Sequence, residues 1–125
     1  MASNMKVMDL IQYLRSGMEA VYFANRFPPT GPDDCVVVTI FGGGPPDRNI
    51  RRPSFQVMVR SKHPAQAEQK ALEFLDMLHQ KRGFQIGSEQ VILCNAQNSA
   101  PLYAGTDENG RSFYSVNFSI LLEVE

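Results

Sequence analysis

The sequence is poor in the residues on which catalytic and metal sites are most often built. Its 125 residues include only two cysteines and two histidines. Cys35 and Cys94 each stand among valine, isoleucine and leucine, and neither has a second cysteine or a histidine at the spacing of metal ligands. Two cysteines cannot form a disulfide framework, so we expect both to be buried free thiols in a reducing compartment.

Long hydrophobic runs and an excess of either charge are also missing. No run approaches the ~18 apolar residues of a membrane span, and the N-terminus lacks the apolar core of a secretory signal, so we expect no membrane association. Lys and Arg number 12 and Asp and Glu number 13, which excludes an overall basic footprint for nucleic acid. Hydrophobic residues make up 43%, and we expect a single domain over residues 1–125.

Motifs for phosphate binding and catalysis are absent from the sequence. Gly42-Gly43-Gly44 follows a predicted strand, as a phosphate-binding loop does, but Pro45 and Pro46 come next and no helix begins there. His63 and His79 have no partners at ligand spacing, and there is no Gly-x-Ser-x-Gly turn. We therefore expect no catalytic residue, no cofactor-binding residue, no metal site and no enzyme activity.

Periodicity predicts two helices among several strands. Apolar residues at helical spacing predict one helix over about 5–15 and a second from His63-Pro64 to a stop at Gly83. Alternating or β-branched segments predict strands, and Asn109-Gly110 predicts a hairpin turn before the last and longest of them. The strand segments are 21–23, 35–41, 54–61, 84–86, 91–96, 102–105 and 113–124. This order predicts an α+β fold, with an antiparallel or mixed sheet of four to six strands and both helices packed on one face.

Charge is balanced in total but uneven along the chain. Residues 48–62 carry five basic residues and no acid, whereas residues 84–125 carry five acids against Arg111 alone. A charge run is most often a solvated face. The alternative is a protein with one positive and one negative surface, which suits head-to-tail association between copies.

The connection between the strands at 35–41 and 54–61 runs from Gly42 to Pro53, and connections of this length are often functional. We expect its glycines to leave the base mobile and its arginines to project toward carboxylates of a neighbouring subunit. The alternative is a disordered hairpin tip with solvated charges. The candidate interface residues are Gly42, Gly43, Gly44, Pro46, Asp47, Arg48, Arg51, Arg52 and Arg60.

Four stretches, in this order, resemble a family of bacteriophage minor capsid or tail-terminator proteins. They are Pro32–Val38, Gly42–Asp47, Arg52–Arg60 and Asp107–Phe118, and the similarity extends over roughly residues 7–122. The resemblance implies a tail-terminator-like subunit that forms a ring, commonly a hexamer, at the head-proximal end of the tail tube. Such a ring stops tube polymerisation and offers a surface for head joining. The family has no catalytic residues to carry over.

The partners implied by the resemblance are further copies of the chain, the tail tube protein and a head completion or connector protein. DNA would only pass through the lumen of the ring. The protein would be located in the phage tail, and in the host cytoplasm before assembly or as a prophage product.

Two other functions remain open at this stage. One is a small nucleic-acid-binding module that uses the basic segment Arg48–Arg60, which would show a steep salt dependence of DNA binding. The other is a small enzyme whose site converges from distant positions. Rings seen by native mass spectrometry or electron microscopy would favour the assembly protein.

Overall fold

The computed structural model describes residues 4–124, which form two helices and eight strands. In chain order the elements are α1 (Val7–Gly17), β1 (Tyr22–Ala24), β2 (Cys35–Phe41), β3 (Ile50–Arg51), β4 (Ser54–Ser61), α2 (Pro64–Leu78), β5 (Lys81–Ile86), β6 (Glu89–Ala96), β7 (Leu102–Thr106) and β8 (Ser112–Glu123).

The sheet is built around β8, its longest strand at 12 residues. On one edge β8 pairs with β4 over 112–119 and with β3 at 122–123. On the other edge it pairs with β7 over 112–115 and with β6 over 118–123. The path through the sheet is β1-β2-β4-β8-β6-β5, and only β1 and β2 are parallel. The sheet is therefore mixed.

The predicted α+β class is confirmed, but the sheet has more strands than the four to six expected. The strand that the sequence analysis did not predict is β3, which has two residues. Two residues are too few to show an alternation of period two, and the segment lies between prolines in what reads as a loop.

One face of the sheet forms the core, and both helices cover it. On β4, Phe55, Val57 and Val59 are at most 2% exposed, and the Phe55 ring stacks on Phe118 of β8 with centroids 5.0 Å apart. The buried residues of both helices belong to the same cluster: Leu10, Ile11 and Leu14 of α1, and Ala67, Ala71, Phe74 and Leu78 of α2. The expectation that both helices pack on one face is correct.

The second helix ends at Leu78, five residues before the Gly83 stop that the sequence suggested. Gln80 takes a left-handed conformation with φ +58°, which turns the chain into β5. The pairing of β5 with β6 begins at Lys81, so Gly83 lies inside a strand, where its φ is +64°. The glycine marks an irregular strand residue and not a helix stop.

The two cysteines are buried free thiols, as the sequence predicts. Burial raises the pKa of the Cys94 thiol to about 12. Burial also raises the pKa of Cys35, against a smaller opposite effect of the neighbouring Arg60 guanidinium. The reactive thiolate form is therefore disfavoured at both positions.

We expect Cys35→Ala combined with Cys94→Ala to lower the free energy of unfolding by a few kcal/mol at most, because each change removes one buried sulfur. Self-association, where the wild type shows it, should survive wherever the double variant folds, since both thiols are buried and their reactive thiolate form is disfavoured. Urea unfolding measures the first quantity, and sedimentation of the double variant beside the wild type measures the second. A folded double variant that fails to support assembly would contradict the assignment of both thiols to packing.

The turn between β7 and β8 is closed by Asp107. Its carboxylate accepts hydrogen bonds from the backbone N–H groups of Asn109 and Arg111, both at 3.0 Å, and from Arg111 Nε at 2.8 Å. Arg111 is 8% exposed, and its Nη1 lies 3.8 Å from Oδ1 of Asp33 in the loop before β2. These hydrogen bonds lower the pKa of Asp107 below its usual value, and the backbone N–H of Arg111 makes the largest contribution.

A carboxyl group with a lowered native pKa stabilises the fold above its unfolded pKa, and this contribution is lost as the pH falls through the native value. We therefore expect Asp107→Asn to reduce stability at neutral pH and to reduce the fall in stability below about pH 4. Urea midpoints measured from pH 7 to pH 2 for both proteins provide the test. Parallel pH profiles for the two proteins would exclude this role for Asp107.

Candidate partner-binding surface

The segment between β2 and β4, residues 42–53, is a folded extension of the sheet, and we call it the arm. Gly43 has φ +69°, and a Cβ at this position would overlap the backbone of Arg52 and Pro53. The next residue, Gly44, donates its backbone N–H to the Arg52 carbonyl at 2.9 Å. The glycine at the base therefore permits a close backbone approach, which favours an ordered base over the mobile one that the sequence predicts.

The tip of the arm is a tight hairpin closed by Asp47 and Ile50. Their backbone groups exchange two hydrogen bonds, of 3.1 and 2.8 Å, which leaves Arg48 and Asn49 at the turn. Arg48 takes a positive φ of 57°. Behind the tip, β3 pairs with the end of β8, and Val124 donates its N–H to the Asn49 carbonyl at 2.8 Å. The arm is thus attached to the central strand of the sheet.

The three arginines of the arm have different surroundings. Arg51 is half-buried, and its Nη1 donates to the carbonyls of Arg48 at 2.7 Å and of Ile50 at 3.0 Å, so it stabilises the tip. Arg48 and Arg52 are exposed, and within residues 4–124 their side chains form none of the hydrogen bonds or ion pairs of the structure. The arm therefore presents two available guanidinium groups on a folded hairpin.

Arg60 does not belong to this surface, although the sequence grouped it with the arm. It lies at the far end of β4 and is 2% exposed. Its Nη2 donates to the Pro32 carbonyl at 2.7 Å, its Nε donates to the Asp33 carbonyl at 3.2 Å, and its guanidinium lies 4.8 Å from the Phe27 ring centroid. Arg60 holds the proline-rich connection before β2. The other eight candidate residues are together in the arm.

A groove lies at the opposite end of the β2–β4 hairpin, and the sequence analysis did not predict it. It measures about 750 Å³ and lies between the segment before β1, the start of β2, the end of β4 and the first turns of α2. Glu19, Asp34 and Glu73 supply carboxylates to its lining. No local signal in the sequence could have found it, because four separated segments contribute to it.

Residues 4–124 hold no group of three or more His, Cys, Asp or Glu residues arranged to bind a metal ion. Neither described helix is long and apolar enough to cross a membrane. His79, at the end of α2, uses its Nδ1 to accept the backbone N–H of Ala96 at 3.0 Å.

Comparisons with known proteins agree with the fold and identify a family. Residues 5–124 match a family model described as bacteriophage tail terminator protein. A solved protein structure aligns with this chain with a TM-score of 0.58 at 16% identity, covering 98% of this chain and 97% of the other. At that identity the likeness shows a shared fold. No curated protein matches the chain.

We expect Gly43→Ala to lower the free energy of unfolding by roughly 1–3 kcal/mol and to loosen the arm, because a Cβ at a positive φ would overlap backbone atoms. Gly42→Ala is the matched control, since a Cβ there meets nothing within 4 Å. Thermal unfolding and hydrogen exchange at Gly44 compare the two variants. Equal stability and equal protection at Gly44 would show that the arm does not depend on the close approach.

Proposed function

This chain belongs to the bacteriophage tail terminator family, and we propose that it assembles as a ring, a hexamer, at the head-proximal end of the tail tube. There it stops tube polymerisation and provides the surface to which a head completion or connector protein joins. Membership of the family over residues 5–124 supports the broader part of this statement, a structural role in completing the phage tail.

The folded arm is the observation that carries the proposal beyond family membership. An interface loop that is already ordered loses little conformational entropy on binding. The arm is fixed by Gly43, by the Arg51 hydrogen bonds and by its pairing with β8, and yet it leaves Arg48 and Arg52 exposed. Guanidinium groups in that setting suit bidentate pairing with carboxylates of a neighbouring subunit or of the tube protein.

A role without catalysis is consistent with the surroundings of the reactive side chains. The thiols of Cys35 and Cys94 are buried, and burial raises the pKa of each. The Nδ1 atom of His79 is occupied by a backbone N–H. These side chains hold the core and the end of a helix together, which supports a structural protein.

The burial of Arg60 weakens the alternative of nucleic-acid binding through the segment from Arg48 to Arg60. With Arg60 inside and Arg51 bonded to the arm itself, the basic surface shrinks to Arg48, Arg52 and Lys62, and Lys62 lies 3.5 Å from the Asp33 carboxylate. Few phosphates could be neutralised by so small a surface, so DNA affinity would be low.

We expect phage that lack this protein to make overlong tails or tails without heads, and the wild-type gene to restore normal virions. Complementation with Arg48→Glu plus Arg52→Glu should fail, because the reversed charges repel the carboxylates that the arm would meet. Arg51 stays intact so that the arm keeps its fold. Electron microscopy of tail lengths and plaque counts measure both effects.

The control variant, Arg26→Glu with Arg82→Glu, makes the same charge change at exposed arginines outside the arm. It should complement like the wild type. Normal tails in the absence of the protein would overturn the proposed function. Full complementation by the arm variant would overturn the role of the two arginines alone.

A further inference from the structure

We propose that the arm of one copy binds in the groove of the next copy, with Arg48 and Arg52 pairing with the carboxylates of Glu19, Asp34 and Glu73. The inference rests on the proposed function, because a ring requires the same contact to repeat between successive copies. The two surfaces that meet are the arm of one copy and the groove of the next.

The positions of the two surfaces in the fold require the contact to form between copies. The β2–β4 hairpin carries the groove at its Cys35–Arg60 end and the arm at its Phe41–Ser54 end. The six residue steps along β2 span roughly 20 Å at about 3.3 Å per step. An arm therefore cannot fold into its own groove. Two different surfaces that meet head to tail form a heterologous interface, which closes into a ring when the rotation permits.

The charges of the two surfaces are complementary. None of the ion pairs of the structure within residues 4–124 involves Glu19, Asp34 or Glu73. The groove also holds the cations Arg60 and Lys70, whose hydrogen bonds go to backbone carbonyls, those of Pro32 and Asp33 for Arg60 and that of Glu19, at 2.9 Å, for Lys70. The carboxylate of Glu73 accepts only a weak hydrogen bond of 3.5 Å, from Gln69 Nε2. Three carboxylates against two cations leave the groove with an excess of negative charge, opposite to that of the arm.

The size and apolar character of the groove also suit the arm. Its volume of about 750 Å³ is in the range of sites that bind small ligands, which is enough room for the side chains at the tip of the arm. Val21 at its edge is 47% exposed, and Ala65 contributes a second apolar side chain. The arm brings Pro45 and Pro46, both exposed, next to its charged tip. Apolar contacts around a desolvated ion pair are the arrangement expected of an interface centre.

Charge reversal on each side tests the contact. The arm variant is Arg48→Glu with Arg52→Glu, and the groove variant is Glu19→Lys with Glu73→Lys. Each alone should lose self-association by at least about tenfold, because like charges then face one another. An equimolar mixture of the two variants should recover assembly, since each reversed surface then meets its opposite. Sedimentation up to millimolar concentration and crosslinking at isolated tail tube ends measure the association.

Native mass spectrometry adds a readout that general damage to the fold cannot imitate. Rings from the mixture should contain equal numbers of the two variants, and a chain carrying all four substitutions should assemble alone. The matched controls are Arg26→Glu with Arg82→Glu, and Asp76→Lys with Glu108→Lys, which change the net charge equally at exposed positions elsewhere. Both controls should associate like the wild type.

The outcomes separate the inference from the proposed function. If the wild type ends tails but the arm and groove variants associate normally, or if folded variants fail to rescue each other, the arm-in-groove contact is wrong and the function stands. If the wild type forms no assembly at millimolar concentration or at tube ends, the proposed ring is wrong, and the proposed contact between arm and groove is wrong too.

Discussion

Strand β8 is hydrogen-bonded along both edges, and the positions of most other elements depend on that pairing. Four strands share its 12 residues, two on each side. Its alternate residues Val116, Phe118, Ile120 and Leu122 all face the core and are at most 2% exposed. A shift of one residue would turn these side chains to the opposite face, so the buried face fixes the register of β4 and β6 on β8.

The same strand connects the core to the proposed interface. At its far end, β3 and the Val124–Asn49 bond hold the arm, and Ile120 donates its backbone N–H to the Pro53 carbonyl at 3.1 Å. The arm is therefore oriented by the strand around which the sheet is built. A contact surface held in this way keeps its geometry in the isolated subunit, which lowers the entropic cost of assembly.

Local patterns in the sequence predicted what depends on local chemistry. Strand β8 was predictable because its apolar and polar residues alternate with the period of a half-buried strand. The Asn109-Gly110 turn was predictable because a hairpin turn favours residues that adopt a positive φ, and Gly110 has φ +76°. The burial of Arg60 was not predictable from local sequence, because its partners are the Pro32 and Asp33 carbonyls, which lie 28 and 27 residues away along the chain. The groove was missed for the same reason, since tertiary packing alone brings its four segments together.

The β2–β4 hairpin connects the groove to the arm, and side-chain contacts at its groove end hold the groove in place. Arg60 lies in the wall of the groove, and by bonding to the Pro32 and Asp33 carbonyls it places Asp34 at the rim. The carboxylate of Asp33 in turn forms ion pairs with Lys62 at 3.5 Å and with Arg111 at 3.8 Å, and the second pair connects the rim to the β7–β8 turn. Arg60 thus shapes the groove from its wall while remaining almost fully buried, at 2% exposed. In a head-to-tail ring, the buried arginine would set the geometry of the site that receives a neighbour's exposed arginines.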